Sequence, residues 1–367
     1  MKFLKQELGK LKADGLYRDL LGAVQGIDFS SNDYLGLAKS SDFNVLFIAK
    51  VQTFSKQGST GSRLLTGDSI EIQRLEAEIA EFHDGESALI YPSGYQANLG
   101  LLSSIASRGD TIIRDEYCHA STIDSLRLSF ANVVKFKHNN TTDLEKKLIK
   151  SKGERFVVVE SLYSMHGDIS DLDAIISLCK KYKAHLIVDE AHTGGIYGSA
   201  GEGMVYERGL QNDVFARVMT YGKAFGYHGG AVIGSAYLIN YLINKSRPFI
   251  YTTGVNFHQI AGLSVAYELI KQANGERKQL RDNVAYFSKL VANEKANWMK
   301  SSSQIQALFV PGNAAVMKQS NNLQMKQILA MPIRNPTVSA GTERIRVCLH
   351  AFNTKEEMNK LIGVVNE

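Results

Sequence analysis

A succession of short apolar runs, each stopped by a polar or small residue and followed by a helix-length segment, is what constrains this chain most. Ala88-Leu89-Ile90-Tyr91 stops at Pro92-Ser93-Gly94, Thr111-Ile112-Ile113 at Arg114, and Phe156-Val157-Val158-Val159 at Glu160. Leu186-Ile187-Val188 ends on Asp189-Glu190-Ala191-His192, and Val218-Met219 leads through Thr220 and Tyr221 to Lys223. An unbroken apolar run has no polar face to give to water, so each reads as a strand covered on both sides. Between the runs, Leu172, Ile175, Ile176 and Cys179 trace one helical face, and another helical pattern opens at Tyr95. Strands alternating with helices of this length predict an α/β fold with a mostly parallel sheet.

Such a sheet places its chemistry just past the carboxyl ends of its strands. Asp189, His192 and Lys223 all fall there. An acid, an imidazole and an amine at neighbouring strand ends are the parts that hold pyridoxal phosphate. A lysine amine holds the aldehyde reversibly as a Schiff base. A carboxylate against the pyridine nitrogen keeps it protonated, so the ring accepts electrons from the substrate's α carbon. An imidazole near the ring hydroxyl holds its oxygen. Lys223 is therefore the expected anchor, Asp189 the pyridinium partner and His192 the ring-oxygen contact. The strand, small-residue turn and helix start at Ser93-Gly94-Tyr95 form an anion site, because the first helical turn leaves amide donors unpaired. That places the phosphate over Ser93, Gly94 and Tyr95.

Several ordered motifs, SNDYLGLA from Ser31, GSTGSRLLTG from Gly58, YPSGYQANLGL from Tyr91, VDEAHTGGIYG from Val188 and TYGKAFGYHGG from Thr220, resemble those of the α-oxoamine synthases. These are pyridoxal-phosphate enzymes of the aspartate-aminotransferase fold, or fold type I, with a mostly parallel sheet and a small α+β C-terminal domain. The likeness runs from about Gly15 to the C-terminus. It implies that His119, in the His-Ala-Ser triplet, stacks on the cofactor ring and is catalytic alongside Lys223, Asp189 and His192. It also implies that Ser164 lies near the ring oxygen, that Thr220 meets the phosphate, and that Thr253 reaches that phosphate from a partner subunit. Asn32 and Arg346 are expected at the substrate carboxylate, Arg346 as a bidentate grip, and Arg18 is similar in placement to an arginine near the substrate. His166 stands where the family commonly carries an acid. The Gly58–Arg63 loop is expected at a homodimer interface with shared active sites. The GKAFGYHGG form is nearest to the branch that condenses L-alanine with a pimeloyl thioester, carried by coenzyme A or an acyl-carrier protein, on the route to biotin. Sibling branches pair glycine or serine with other acyl thioesters.

The organisation expected is an N-terminal helix and extended segment over 1–40, a large cofactor-binding domain over 41–265 and a small C-terminal domain over 266–367. Asp68 and Glu71 have capping-box spacing ahead of the helix carrying Ile72, Leu75, Ile79 and Phe82, and Thr354 with Glu357 has the same spacing at the last helix. In the Arg344–Cys348 strand pattern an arginine is ordinarily solvated. A formal charge of +5 is mild for 367 residues and marks no nucleic-acid surface. Three dispersed cysteines favour a reducing compartment, and neither a signal peptide nor a membrane-length apolar run is read, so a cytoplasmic protein is expected. Asp189-Glu190-Ala191-His192 also spells a helicase box, but no GxxxxGK[ST] loop accompanies it; Gly198–Gly203 fails GxGxxG, and no HExxH or cysteine pair supports a metal. A non-catalytic pyridoxal-phosphate module is the remaining competitor, and fold alone does not exclude it.

Overall fold

Alternate residues of the apolar runs go to opposite faces of one sheet. Ile112, Val158, Ile187 and Val218 pack with the helix residues Ala97, Leu101 and Leu242. Ile113, Val157, Leu186 and Val188 pack with Leu144, Leu148, Ile175 and Ile176. Helices therefore cover both faces, which is why the strands carry no polar stripe. Each fully buried Val, Leu or Ile contributes about 1.5–3 kcal/mol. The loops at the strand ends thus rest on a stiff base.

The structure is a computed structural model and describes residues 1–20, 22, 25–292, 294 and 296–367. It divides into two compact units, one of Leu35–Tyr163 with Ile169–Asn274, the other of Met1–Tyr34, Ser164–Asp168 and Gly275–Glu367. The first holds a seven-stranded sheet in the order Ser87–Tyr91, Gly230–Gly234, Ala216–Thr220, His185–Asp189, Arg155–Glu160, Thr111–Asp115, Asn132–Phe136. The two antiparallel pairings are those of Gly230–Gly234 with Ser87–Tyr91 and with Ala216–Thr220. The other pairings are parallel, as the apolar runs predict.

The second unit contains a three-stranded antiparallel sheet with Arg344–Cys348 between Met331–Ile333 and Ile305–Phe309. All five residues of the central strand are buried, so neither Arg344 nor Arg346 is the solvated arginine that the alternating pattern suggests. The final helix, Lys355–Val365, starts on the expected capping box: Thr354 accepts from the Glu357 amide, and the Glu357 carboxylate accepts from the Thr354 amide.

One expected cap is corrected. The helix Ile70–Phe82 is capped by Ser69, whose hydroxyl accepts from the Ile72 amide, not by Asp68. Asp68 is already engaged, accepting from Arg63 Nε at 2.8 Å and from the Gln73 side chain at 2.6 Å. An ion pair at a helix start outcompetes the local motif, and the neighbouring serine takes over.

Candidate active site

Asp189 is the last residue of its strand, and Lys223 lies three residues past the end of the Ala216–Thr220 strand beside it. The Lys223 amine is 2.7 Å from His192 Nε2. The Asp189 carboxylate accepts from the Ala191 amide at 2.9 Å and from the Asn98 side chain at 2.8 Å, and it is 6 % exposed. These three side chains line one cavity of about 130 Å³ together with His119, Thr220 and Gly94. The next residue of that sequence motif, Tyr95, also lines it.

A helix start with unpaired amide donors adjoins them. Ser93 caps the helix Gly94–Leu102, accepting from the Gln96 amide at 3.2 Å. Gly94 and Tyr95 are the first helical residues, whose amides have no carbonyl within the helix to pair with. A side chain on Gly94 would collide with the Thr220 hydroxyl, and one on Gly230 would come within 2.6 Å of the Gly94 nitrogen. The two glycines therefore let the helix start, the threonine hydroxyl and the strand Gly230–Gly234 converge. Donors at a helix N-terminus, a hydroxyl, a lysine amine and a carboxylate held by two donors match the phosphate, aldehyde and ring nitrogen of pyridoxal phosphate. The chain fits that group.

Two further expected contacts do not line this cavity within the one chain. Thr253 is exposed and is not among the residues lining this cavity. Ser164 belongs to the other compact unit, where its carbonyl accepts from Arg346 Nε at 2.7 Å.

His119 caps the helix Ala120–Leu128, its Nδ1 accepting from the Ser121 amide at 3.1 Å. Its own amide donates to Glu160 at 2.6 Å. The residue is exposed, a place open to a ligand. Desolvation of the ring lowers its pKa, Asp189 acts in the opposite sense, and Lys223 lowers it again. Glu190, the middle of the helicase-like spelling, turns away from the cavity and accepts from Thr193 at 3.2 Å and the Val205 amide at 3.0 Å. Among the described residues no group of three or more His, Cys, Asp or Glu side chains is gathered for a metal ion.

Asn98 and Ser121 line the same cavity but are absent from the sequence-based expectation. Asn98 carried a usable signal, since it sits one helical turn beyond Gly94 and so faces the same way. Ser121 stood within the quoted His-Ala-Ser triplet.

Behind the lysine turn lies a closed polar chain. Tyr221, two residues before Lys223, is 3.0 Å from the Tyr267 hydroxyl. That hydroxyl is 2.8 Å from His83 Nε2, and His83 Nδ1 is 2.6 Å from the Glu202 carbonyl. A carbonyl accepts only, so Nδ1 carries a proton, and in the neutral ring Nε2 accepts from the Tyr267 hydroxyl. Burial, with the Arg217 charge adding to it, pushes the His83 pKa down to about 3. The unfolded imidazole takes a proton near pH 6.5, whereas the folded one refuses it until about pH 3. Stability from this group is thus fully present above pH 6.5 and is lost as pH falls toward 3. We expect stability to drop with acidification more steeply in the wild type than in His83→Gln, by about 1.4 kcal/mol per pH unit for one proton. Denaturation at stepped pH values between those limits reads this directly; parallel slopes for the two proteins would contradict a neutral His83.

In the other unit, the Arg346 guanidinium donates to Asn32 Oδ1 at 2.9 Å, and the Tyr34 hydroxyl donates to the same oxygen at 3.0 Å. Arg346 and Asn32 are therefore brought together as expected. Arg18 is not with them: it is exposed, and its guanidinium is 3.3 Å from the Thr337 hydroxyl. Tyr34, wholly buried and within 3.4 Å of Arg346, is a member of this cluster that sequence reasoning missed.

A strand-end lysine beside a carboxylate and a helix start with unpaired amide donors, on a seven-stranded sheet with one antiparallel strand, defines a pyridoxal-phosphate protein of fold type I. The chain belongs to the aminotransferase class I and II family, whose model matches residues 24–365. Within it, the chain is of the α-oxoamine synthase kind. It is 35 % identical to 8-amino-7-oxononanoate synthase 1 of Bacillus subtilis, over all of this chain and 97 % of that one. It is 36 % identical to 8-amino-7-oxononanoate synthase of Lysinibacillus sphaericus, over 92 % of this chain and 87 % of that one. Among solved structures, serine palmitoyltransferase of Sphingomonas wittichii superposes with a TM-score of 0.91 at 27 % identity, covering 100 % of this chain and 96 % of that one. The 8-amino-7-oxononanoate synthase of Francisella tularensis gives 0.81 at 26 % identity, covering 93 % of this chain and 97 % of that one.

Proposed function

We propose that this chain condenses L-alanine with a pimeloyl thioester to give 8-amino-7-oxononanoate, carbon dioxide and a free thiol, a step of biotin biosynthesis. The observation that carries the reading is the Lys223–His192–Asp189 cavity in a chain alike over its whole length to enzymes of that name. Bound there, pyridoxal phosphate supplies an aldehyde for the amino group and a ring that withdraws electrons from the α carbon.

The chain's own residues do the rest. With the cofactor bound, Lys223 would hold its aldehyde and, once released, serve as general base toward the proton on the amino acid's α carbon. His192 orients the lysine amine before that release. Asp189 holds a proton on the ring nitrogen, and its two donors keep the carboxylate aimed. The Gly94 and Tyr95 amides, with the Ser93 and Thr220 hydroxyls, take the phosphate. His119 would stack on the ring and keep the breaking bonds aligned with its π system. Arg346, with Asn32, grips the alanine carboxylate until it leaves as carbon dioxide. A carbon–carbon bond forms between the alanine α carbon and the acyl carbon, the thiol leaves, and a proton returns to the α carbon.

A second copy of the chain completes the site in this reading, with Thr253 reaching the partner's phosphate. Among the described residues no helix is long and apolar enough to cross a membrane, and Cys118, Cys179 and Cys348 are buried and joined in no disulfide, which suits a cytoplasmic enzyme. The close superposition on serine palmitoyltransferase favours, as second reading, a sibling that uses serine with a longer acyl thioester. Release of free coenzyme A from pimeloyl-coenzyme A, measured in parallel with alanine, glycine and serine, separates them. Alanine should be the fastest, and if it is the poorest of the three the assignment fails.

A further inference from the structure

We propose that Asn98 is a positioning residue that sets two cofactor-facing groups at once: one amide hydrogen holds Asp189, and the other sets Ser121 so that His119 keeps its proton on Nε2. The inference rests on the reading of Asp189 and His119 as cofactor residues, but its test reads the imidazole itself.

The wiring follows from what each group is able to donate. Asn98 is 3 % exposed, with its side-chain nitrogen 2.8 Å from Asp189 Oδ2 and 3.0 Å from Ser121 Oγ. A carboxylate only accepts, so the nitrogen of the amide and not its oxygen must face Asp189. The second amide hydrogen then goes to Ser121 Oγ. With that oxygen accepting from Asn98, the Ser121 hydrogen is free for His119 Nδ1, 2.8 Å away. The Ser121 amide also donates to Nδ1, at 3.1 Å. A hydrogen on Nδ1 would face both donors, so Nδ1 accepts and the ring proton sits on Nε2.

The charges around the ring make this wiring matter. Asp189 and Asp124 favour a second proton on His119, while desolvation and Lys223 oppose it. Glu160 is engaged by the His119 backbone amide. Donors aimed at Nδ1 stabilise the neutral ring and leave no place for the extra proton. A neutral imidazole stacked on a protonated heterocycle avoids setting two cations face to face. Its remaining N–H is a hydrogen-bond donor of the kind that polarises a carbonyl oxygen without giving up its proton.

Nitrogen-15 NMR of ring-labelled histidines in the cofactor-loaded protein tests this, with the His119 signals assigned by their loss in His119→Gln. The expected result is a neutral His119 with Nε2 protonated and Nδ1 bare across the neutral range. An Nδ1–H signal or an imidazolium there overturns the proposal on the wild-type protein alone, whether or not any Asn98 variant folds. In Asn98→Leu, Ser121 Oγ is released to accept from Nδ1 and only the longer Ser121 amide contact still opposes a proton there, so the Nδ1–H tautomer should become detectable beside the Nε2–H one. The protonation midpoint should rise by about one unit, roughly the worth of one hydrogen bond. A folded Asn98→Leu with tautomer and midpoint unchanged would reduce Asn98 to a packing residue and sink the idea. If the cofactor reading itself is wrong, the purified protein shows no visible absorbance with pyridoxal phosphate, an outcome independent of the histidine signals.

Discussion

Lys223→Ala loses the visible absorbance of the lysine-bound cofactor and falls in turnover by roughly a thousandfold or more, the scale of a missing general base compounded by a missing covalent anchor. The amine sits 2.7 Å from His192 Nε2 at the end of the Ala216–Thr220 strand. No other lysine lines the cavity among the described residues, so no neighbour replaces it as anchor. The fold should survive, since Lys223 is half-buried and its backbone turn is held from behind by the Tyr221–Tyr267–His83 chain. Absorbance spectra and steady-state rates read the two losses separately. Borohydride reduction of the wild type followed by peptide mapping locates the cofactor. Its recovery on any residue but Lys223 would refute the assignment.

Asp189→Asn keeps cofactor bound but loses about 100- to 1000-fold in kcat, the scale seen when one preorganised electrostatic group is removed. The amide is isosteric, and the helix start and hydroxyl proposed to hold the phosphate, at Gly94, Tyr95 and Thr220, are untouched by it. What disappears is the negative charge that keeps a proton on the ring nitrogen, and with it the capacity of the ring to take electrons from the α carbon. Equilibrium dialysis should therefore show near-normal cofactor retention beside a collapsed rate. Wild-type rates in this variant would contradict the electron-sink role of the pair.

The large sheet and most of the cavity were legible in the linear chain for one reason. Apolar runs buried on both faces announce themselves by composition alone, and a parallel sheet puts its chemistry at a fixed place, the carboxyl end of each strand. Asp189, His192, Lys223 and the Ser93–Tyr95 turn were found by that rule, and one cavity gathers all but Ser93, which caps the adjoining helix. Arg346 was harder. Its strand alternates as a half-solvated edge would, yet it runs between two others with all five residues buried.

The cap of the Ile70–Phe82 helix shows the limit from the other side. A local spacing named Asp68, but its carboxylate was claimed by Arg63 and Gln73, and Ser69 took the cap. Local rules hold until a stronger partner competes for the same oxygen.

The order of residues alone thus predicted the layered sheet, the cofactor that its strand ends are suited to hold, and the strand-end positions of Lys223 and Asp189. Folding in three dimensions settled who orients them. Asn98 reaches Asp189 across 91 positions and Ser121 across 23, and His83 reaches Tyr267 across 184. Hydrogen bonds over such separations leave no periodicity in the chain to read. They exist only once burial has brought the donors and acceptors together and removed the water that would otherwise satisfy them.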